Sequence, residues 1–547
     1  MRYNHKTRDY RVSSVSMGKK DGHGRRSNEW VKGNASQRPS GTVKISSDRL
    51  DRAIPLDMKD IERDYDKPIE EACIAAKASV IMRVGMLDLG SGTGSFRVRE
   101  MMHRVAYPMG VHVRADVNLT DIEATCTDGS GRITEVVDLP TTGVNTERIW
   151  LLEHFADWLS VNCGRSSTYH RAALVSQELV DHLCEAKSHW AVRKAREAEA
   201  AKAHEVARAR RGSQPRPGGV TVRQAHERLN LIEHRKPLYP PLFSAFASAV
   251  ACASFVCLLG GGLYDMAGAF IGAGVGQWIR RLLLERRINQ FFVTAIAVVV
   301  AALACVGTLR FVGLFDPVAL RHDTAYIGAI LFVIPGFPLV TGGLDLAKMD
   351  FPSGVQRLTY AFAVILVATL GGWAVAHMVR LNPQGFEALD LTPWATAGLR
   401  ALAAFWGVWG FSVLFNSPQR MALVSAVIGA ITDTLRLESQ DLLGMPPEMA
   451  AFLGAFLAGM LATAWRSSVR HGWLPPDLGF PRICLTVPSI VIMVPGLYMY
   501  RAMFYLGQFN TLSALDWAFR AFMVIICLPI GLATARVIAD RSWRYDV

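Results

Sequence analysis

The sequence has no long apolar run before residue 240 and no apolar core behind its Lys- and Arg-bearing start. The first absence confines any membrane part to the C-terminal side. The second argues against a cleavable signal peptide, which needs about 7–15 apolar residues after its basic segment. Nine cysteines, at 73, 126, 163, 184, 252, 257, 305, 484 and 527, form no CxxC pair and no Cys/His cluster. That spacing argues against both a disulfide framework and a zinc site, so neither a metal nor a cofactor is expected. Acidic residues are outnumbered, 47 to 59, which gives a net charge of +12 over 547 residues. The basic residues, however, gather in the N-terminal tail, in 187–211 and in short loops between apolar spans. Such a distribution suits a cytoplasmic membrane face rather than a nucleic-acid groove, and no nucleic-acid partner is expected.

Residues 1–65 are rich in Lys, Arg, Gly, Ser and Asp and read as a disordered basic tail. A small α/β domain is expected over 66–165. In it "PIEEACIAAKASVIMRVGMLDL" is apolar at helical spacing, and "FRVREMMHRVAYPMG" reads as a second helix ended by Pro108 and Gly110. "VHVRADVNLTDIEATC" and "RITEVVDL" read as strands around the turn "TDGSG", and "TERIWLLEHFADWL" as a helix. Residues 166–236 form a charged helical arm and linker, closing with the amphipathic helix "VTVRQAHERLNLIEH".

Between the first two helices lies "MLDLGSGTGSF" (86–96), which resembles the glycine-rich loop of S-adenosylmethionine-dependent methyltransferases, with Asp116 placed as a ribose-binding acid. The residues before Asp88 have a helical rather than a strand pattern. Too little α/β pattern follows for a doubly wound sheet, so the loop is expected to be a turn between helices and the chain not to be an enzyme.

Apolar stretches near the ~20 residues needed to cross a bilayer follow Pro240. They lie at 241–262, 265–283, 290–313, 324–346, 355–380, 394–416, 419–437, 447–466, 483–508 and 515–538, the second and seventh being the shortest. The expected architecture is a polytopic α-helical membrane protein of about ten transmembrane helices, five in 237–382 and five in 383–547, with the α/β domain on the cytoplasmic side. A cytoplasmic N-terminus puts "RRLLLERR" (280–287), Lys348, Arg357, Arg420, Arg466, Arg470, Arg482, Arg541 and Arg544 inside. Arg310 and Arg321 fall outside, in keeping with the positive-inside rule.

Two spans carry the same break, "LFVIPGFPLVTGGLD" and "VIMVPGLYMYRAMF", and Pro335 and Pro495 are 160 residues apart. Five spans per half make the second copy enter from the opposite face, so a 5+5 inverted repeat is expected. Proline removes a backbone donor and glycine loosens the ladder, which frees backbone groups at bilayer depth. Paired breaks of this kind mark the central site of many transporters. Pro338 suits the first turn of a restarted half-helix.

Polar residues inside the spans are the next candidates, because a charge at the helix centre costs about 2.5–3.5 kcal/mol on insertion scales. Asp345 is expected either to hold a substrate ammonium or relay a proton, or to be an interfacial cap beside Lys348. Asp433 is a second proton-coupling candidate, or the partner of Arg436 one helical turn on. Arg501 either meets a carboxylate or snorkels outward. Arg400, Gln277, Asn416 and His377 read as packing partners or interfacial residues. Gly268, Gly272 and Gly276 read as a close-packing face rather than a phosphate loop.

Taken in order, "RVGMLDLGSGTGSFRVREMMHRVAYPMGV", "GVNTERI", "VTVRQAHERLNLIEHRKPLYP", "LLGGGLYDMAGAFIGAGVG", "IPGFPLVTGGLDLAKMDFPSGVQRL", "GFSVLFNSPQRMALVSAVIGA" and "VPGLYMYRAMFYL" resemble the threonine/serine exporter family. The charged stretch near 164–212 looks like an insertion. The resemblance implies a cytoplasmic N-terminal domain, ten spans in the bacterial inner membrane with both termini cytoplasmic, and proton-motive-force-driven export of threonine and serine. The partners would be amino acid, protons and the lipid bilayer, and a homo-oligomer is compatible with it. Joined to the residue reading, it places a zwitterion between the two broken helices. The amides at Gly336 and Gly496 would face its carboxylate, and Asp345 or Asp433 its ammonium. Alternative readings are a transporter or channel for another solute, a lipid-handling scaffold, or a membrane-tethered methyltransferase.

Overall fold

The computed structural model describes residues 59–139, 143–165, 219–381, 386 and 391–544. The tail up to residue 58 and the charged arm over 166–218 lie outside the described residues.

The N-terminal domain is built around α2 (Ile74–Leu89), whose residues from Ala75 onward are all buried. An apolar sequence with no polar face has to be covered on every side. It is covered by α3 (Ser95–Ala106), α4 (Thr146–Asn162), α5 (Val222–Glu233) and a three-stranded sheet. The domain begins earlier than composition suggests: α1 (Lys59–Arg63) and the turn after it bury Ile61 and Tyr65.

The sheet corrects one expectation. "VHVRADVNLTDIEATC" is two strands, β1 (His112–Val117) and β2 (Asp121–Asp128), followed by β3 (Gly131–Asp138), all antiparallel in the order β1-β2-β3. The polar "NLT" between them makes a turn, with the Asn118 amide donating to the Asp121 carbonyl at 2.9 Å. Asp116 stands on β1 opposite Glu123. With a helix leading into the glycine-rich loop and an antiparallel sheet after it, the strand–turn–helix of a dinucleotide-type site is absent from the described residues.

Among the described residues a first set of helices follows: α6 (Pro241–Leu258), α7 (Leu263–Glu285), α8 (Gln290–Val312), α9 (Ala325–Ile330) with α10 (Gly336–Ala347), and α11 (Phe351–Val379). The second set is α12 (Pro393–Leu414), α13 (Gln419–Leu443), α14 (Pro447–Arg470), α15 (Arg482–Val491) with α16 (Gly496–Gly507), and α17 (Thr511–Ala539). Six of these helices, namely α6, α8, α11, α12, α14 and α17, are long and apolar enough to cross a membrane. The two broken pairs bring the count to 8, bending by 60° at the first break and 46° at the second. The chain is therefore a polytopic helical membrane protein. α7 and α13, which match the two shortest expected spans, are full helices of 23 and 25 residues that carry charge near their ends.

The two sets correspond closely. α10 and α16 are both 12 residues long, α11 and α17 both 29. Each pair is separated by a residue with positive φ, Met349 at 61° and Phe509 at 58°, and a polar N-cap, Asp350 and Asn510. Within each set the packing repeats: α6 on α7, α9 on α7 and α10 on α11 match α12 on α13, α15 on α13 and α16 on α17. Across the sets α6 meets α12, while α10 meets α17 and α16 meets α11. Gly268, Gly272 and Gly276 let α7 approach α8, as a Cβ at Gly272 would stand 2.6 Å from the Ala301 carbonyl.

Candidate functional site

The two breaks share one backbone geometry. Pro335 has φ −80° and ψ 61°, and Pro495 has φ −79° and ψ 56°, the values of an inverse γ-turn. The amides of Gly336 and Gly496 each donate back to the carbonyl two residues earlier, Ile334 and Val494, at 2.8 Å. This corrects the expectation that those two amides face a cargo carboxylate: the tight turn takes them up locally. Pro338 does fall in the first turn of α10.

The breaks also pack against each other reciprocally. A Cβ on Gly336 would lie 2.8 Å from Val491 Cγ2, and one on Gly496 would lie 2.7 Å from Leu331 Cδ2 and 2.6 Å from Ile334 Cδ1. Val491 stands 160 residues after Leu331, so the contact made by one set of helices is returned by the other. A Cβ at either position would have to push these side chains aside.

Beside the crossing, the Tyr326 hydroxyl of α9 is hydrogen-bonded to the Tyr500 hydroxyl of α16, with the rings edge to face at 5.5 Å. Both residues are 1% exposed. Neither stood out in the sequence; two phenols at membrane depth, each needing a partner, were the available signal.

The other expected residues are elsewhere. Asp345 lies nine residues beyond Gly336, roughly 13 Å along the helix axis, and pairs with Arg357, whose Nε is 3.1 Å from its Oδ2. It is fully buried rather than solvated with Lys348, which lies over the Trp543 ring at 4.5 Å. Asp433 pairs with Arg436 at 2.7 Å on its own helix. The Arg501 guanidinium lies 4.6 Å from the Trp517 ring centre. Arg400 joins α12 to Glu438 and Asp441 of α13, at 2.8 and 2.5 Å, and Gln277 donates to Ser244 at 3.2 Å. His377 stacks on Trp373 at 5.6 Å.

Asp345 is where the N-terminal domain docks. The start of α3, Gly94 to Phe96, sits on its carboxylate, and a Cβ on Gly94 would stand 2.6 Å from Oδ1. Helix N-termini favour negative charge. The glycine-rich loop thus receives an anion from the membrane part of its own chain. Ser95 and Arg99 both hydrogen-bond Asp350, Arg99 at 2.5 Å. A second docking point joins α4 to the α12–α13 turn. There Thr146 donates its amide to the Phe415 carbonyl at 3.0 Å, and Asn416 donates to Asn145 and Glu147 at 3.0 and 3.2 Å. Behind α3, Glu153 takes Arg97 and Arg104; despite its burial, the two guanidiniums hold its carboxyl well below the usual range. Asp88 is completely buried, and that burial pushes its carboxyl up to about 6.

Two cavities lie beside the first halves of the broken helices, one at α9 and one at α15. One, about 200 Å³, is lined by residues of α8, the Pro317–Arg321 turn, α9 and the end of α11, among them Arg310, His322, Asp323, Tyr326 and Arg380. The other, about 40 Å³, is lined by α14, α15 and α17 and closed by Phe96 and Arg97 of the N-terminal domain. Their walls correspond across the repeat: His322, Asp323 and Tyr326 stand 160 residues before Arg482, Ile483 and Thr486.

Residues 79–163 and 187–379 match the ThrE model of the threonine/serine exporter family, and residues 400–538 match a second model described as Threonine/Serine exporter, ThrE. A probable threonine/serine exporter of Mycobacterium tuberculosis is 25% identical over 304 residues, 52% of this chain and 53% of the relative. The probable succinate transporter subunit YjjP of Escherichia coli is 26% identical over 163 residues, 29% of this chain and 55% of the relative. Pheromone-regulated membrane protein 10 of Debaryomyces hansenii is 26% identical over 181 residues, 29% of this chain and 17% of the relative. The chain spans about half the length of the bacterial relatives it matches, and no solved structure matches it. With both family models matched in order along one chain, whose helices run in two corresponding sets, the protein belongs to the threonine/serine exporter family.

Proposed function

We propose that the chain is a secondary active exporter of small hydroxy amino acids, threonine and serine, driven by the proton-motive force. In this reading its ten spans form a 5+5 inverted repeat in the bacterial inner membrane, with the N-terminal domain and the C-terminus cytoplasmic. The observation that carries it is the reciprocal crossing of Pro335–Gly336 and Pro495–Gly496, with one cavity beside the first half of each broken helix. A repeat inverted in the membrane puts corresponding cavities on opposite faces, and alternating access needs a path that opens to one face at a time. The 200 Å³ cavity then faces outward, and the 40 Å³ cavity is the inner entrance held shut under the N-terminal domain.

Asp345 is the stronger proton-coupling candidate. It is buried at the inner end of a broken helix and touches both Arg357 and the start of α3, so protonating it would weaken the N-terminal domain's seat. Asp433 is held in a local pair. Among the described residues no group of three or more His, Cys, Asp and Glu could hold a metal ion.

The test is efflux from cells loaded with threonine, with and without the protein and an uncoupler. Saturable, uncoupler-sensitive efflux is expected, and its loss when Pro335–Gly336 becomes Ala–Ala with membrane insertion intact. Unchanged efflux from that variant overturns the broken-helix site. The likeness to a probable succinate transporter subunit of E. coli makes succinate the second cargo to try, since a dicarboxylate shares the carboxylate but lacks the ammonium and the hydroxyl.

A further inference from the structure

The cavity beside α9 has the chemistry of a complete site for one class of small molecule, and we propose that it holds the cargo on the outward side, with the Tyr326–Tyr500 hydroxyl pair reading the cargo's hydroxyl. The inference rests on the exporter reading and adds where, and by which atoms, a hydroxy amino acid is told from its isostere.

The cavity, about 200 Å³, has charged residues of both signs and Tyr326 in its lining. Arg310 and Arg380 are exposed on the rim and suit a carboxylate; Asp323 suits an ammonium. His322, also in the lining, has its Nδ1 2.8 Å from the Asp265 carboxylate, which fixes that wall. The remaining lining is aliphatic: Val306, Leu309, Leu320 and Val379 among it. A zwitterion with a short side chain matches this division, with its charges at the rim and its side chain directed at Tyr326.

The phenol pair explains the hydroxyl preference. Each tyrosine hydroxyl offers one hydrogen and two lone pairs. The bond between Tyr326 and Tyr500 uses one hydrogen and one lone pair, which leaves one O–H to be satisfied. A cargo hydroxyl can accept from that O–H and donate in return, joining both phenols. A methyl in its place leaves a buried donor unpaired, the situation in which a polar site rejects an apolar isostere most strongly. Tyr326 and Tyr500 also belong to the two different broken helices, so the same bond that reads the cargo spans the crossing.

The experiment is counterflow of L-threonine and L-valine in proteoliposomes, comparing the full-length protein with Tyr326→Phe and Tyr500→Phe. Valine has threonine's shape with a methyl for the hydroxyl. The expected result is that each variant lowers the threonine-to-valine ratio of kcat/KM by about tenfold or more, through a loss for threonine with valine little changed. Arg380→Gln is expected to raise KM for both amino acids by a common factor, because both carry the carboxylate. An unchanged ratio in the Tyr→Phe variants, or an equal fall for both substrates, overturns the proposal while leaving the exporter reading in place. Failure of the wild-type protein to move threonine overturns the exporter reading itself.

A second measurement does not depend on those variants folding. Leu320→Cys, on the exposed cavity wall, is alkylated from outside by a membrane-impermeant maleimide and scored above the unsubstituted chain. Millimolar L-threonine is expected to slow the labelling, and labelling it leaves unslowed overturns the site.

Discussion

Gly94 of the N-terminal domain and Asp345 of the first broken helix are in contact, the glycine backbone lying against the carboxylate with no room for a Cβ, which would stand 2.6 Å from Oδ1. Gly94→Val is therefore expected to lift α3 from its seat. Over-packing of this kind costs about 1–3 kcal/mol, and threonine transport in proteoliposomes should fall about tenfold or more. Gly129→Val, in a hairpin turn with nothing within 4 Å of its Cβ position, is the control and should transport normally.

The breaks offer a compensation test. Gly336→Ala meets Val491 Cγ2 at 2.8 Å and should lose most of its efflux while still inserting in the membrane. Val491→Ala removes the obstructing methyl groups. The double variant should recover efflux above the Gly336→Ala level, a departure from additivity expected for residues in direct contact. The same logic applies to Gly496→Ala, where both Ile334 and Leu331 must be cut back to Ala, since its Cβ would meet them at 2.6 and 2.7 Å.

Arg357→Met strands the Asp345 carboxylate, which is 0% exposed, without its guanidinium. Removing one member of a buried pair costs about 3–5 kcal/mol. A marked fall in the thermal midpoint of the detergent-solubilised protein is expected, with Arg357→Met/Asp345→Asn recovering most of it.

Asp88 gives a pH signature. Its carboxyl is pushed up to about 6 from an ordinary 3.8 by complete burial, so the folded state holds the proton more tightly than the unfolded chain. Stability is then lost as pH rises from about 4 to about 6 and is level above that. Asp88→Asn keeps the shape without the charge and should stabilise the protein at pH 7.5 by on the order of 1–3 kcal/mol. The advantage should shrink at pH 5, as read from thermal unfolding at the two pH values.

The sequence revealed the helices and both breaks because each rests on a local cause. Long apolar runs must cross or be buried, and a Pro-Gly pair must interrupt the ladder. It also revealed that "MLDLGSGTGSF" is a turn between helices, because no strand pattern precedes Asp88. What it did not reveal depends on distance in the chain. Asp345 finds Gly94 across some 250 residues and Tyr326 finds Tyr500 across 174. No periodicity encodes such pairs. The Gly336 and Gly496 amides were misassigned for a different reason: the sequence specifies a break there, but not the tight turn that occupies the freed donor.

The reciprocal contact at the breaks means that neither half of this chain closes its own break. The wall that closes Gly336 belongs to the second set of helices and the wall that closes Gly496 to the first. Each half is thus an incomplete object by itself, since the side chains that close its break come from the other. Separating the halves after α11 should leave two polypeptides that are inert alone and active when made together, joined through the same glycine crossing that the single chain uses.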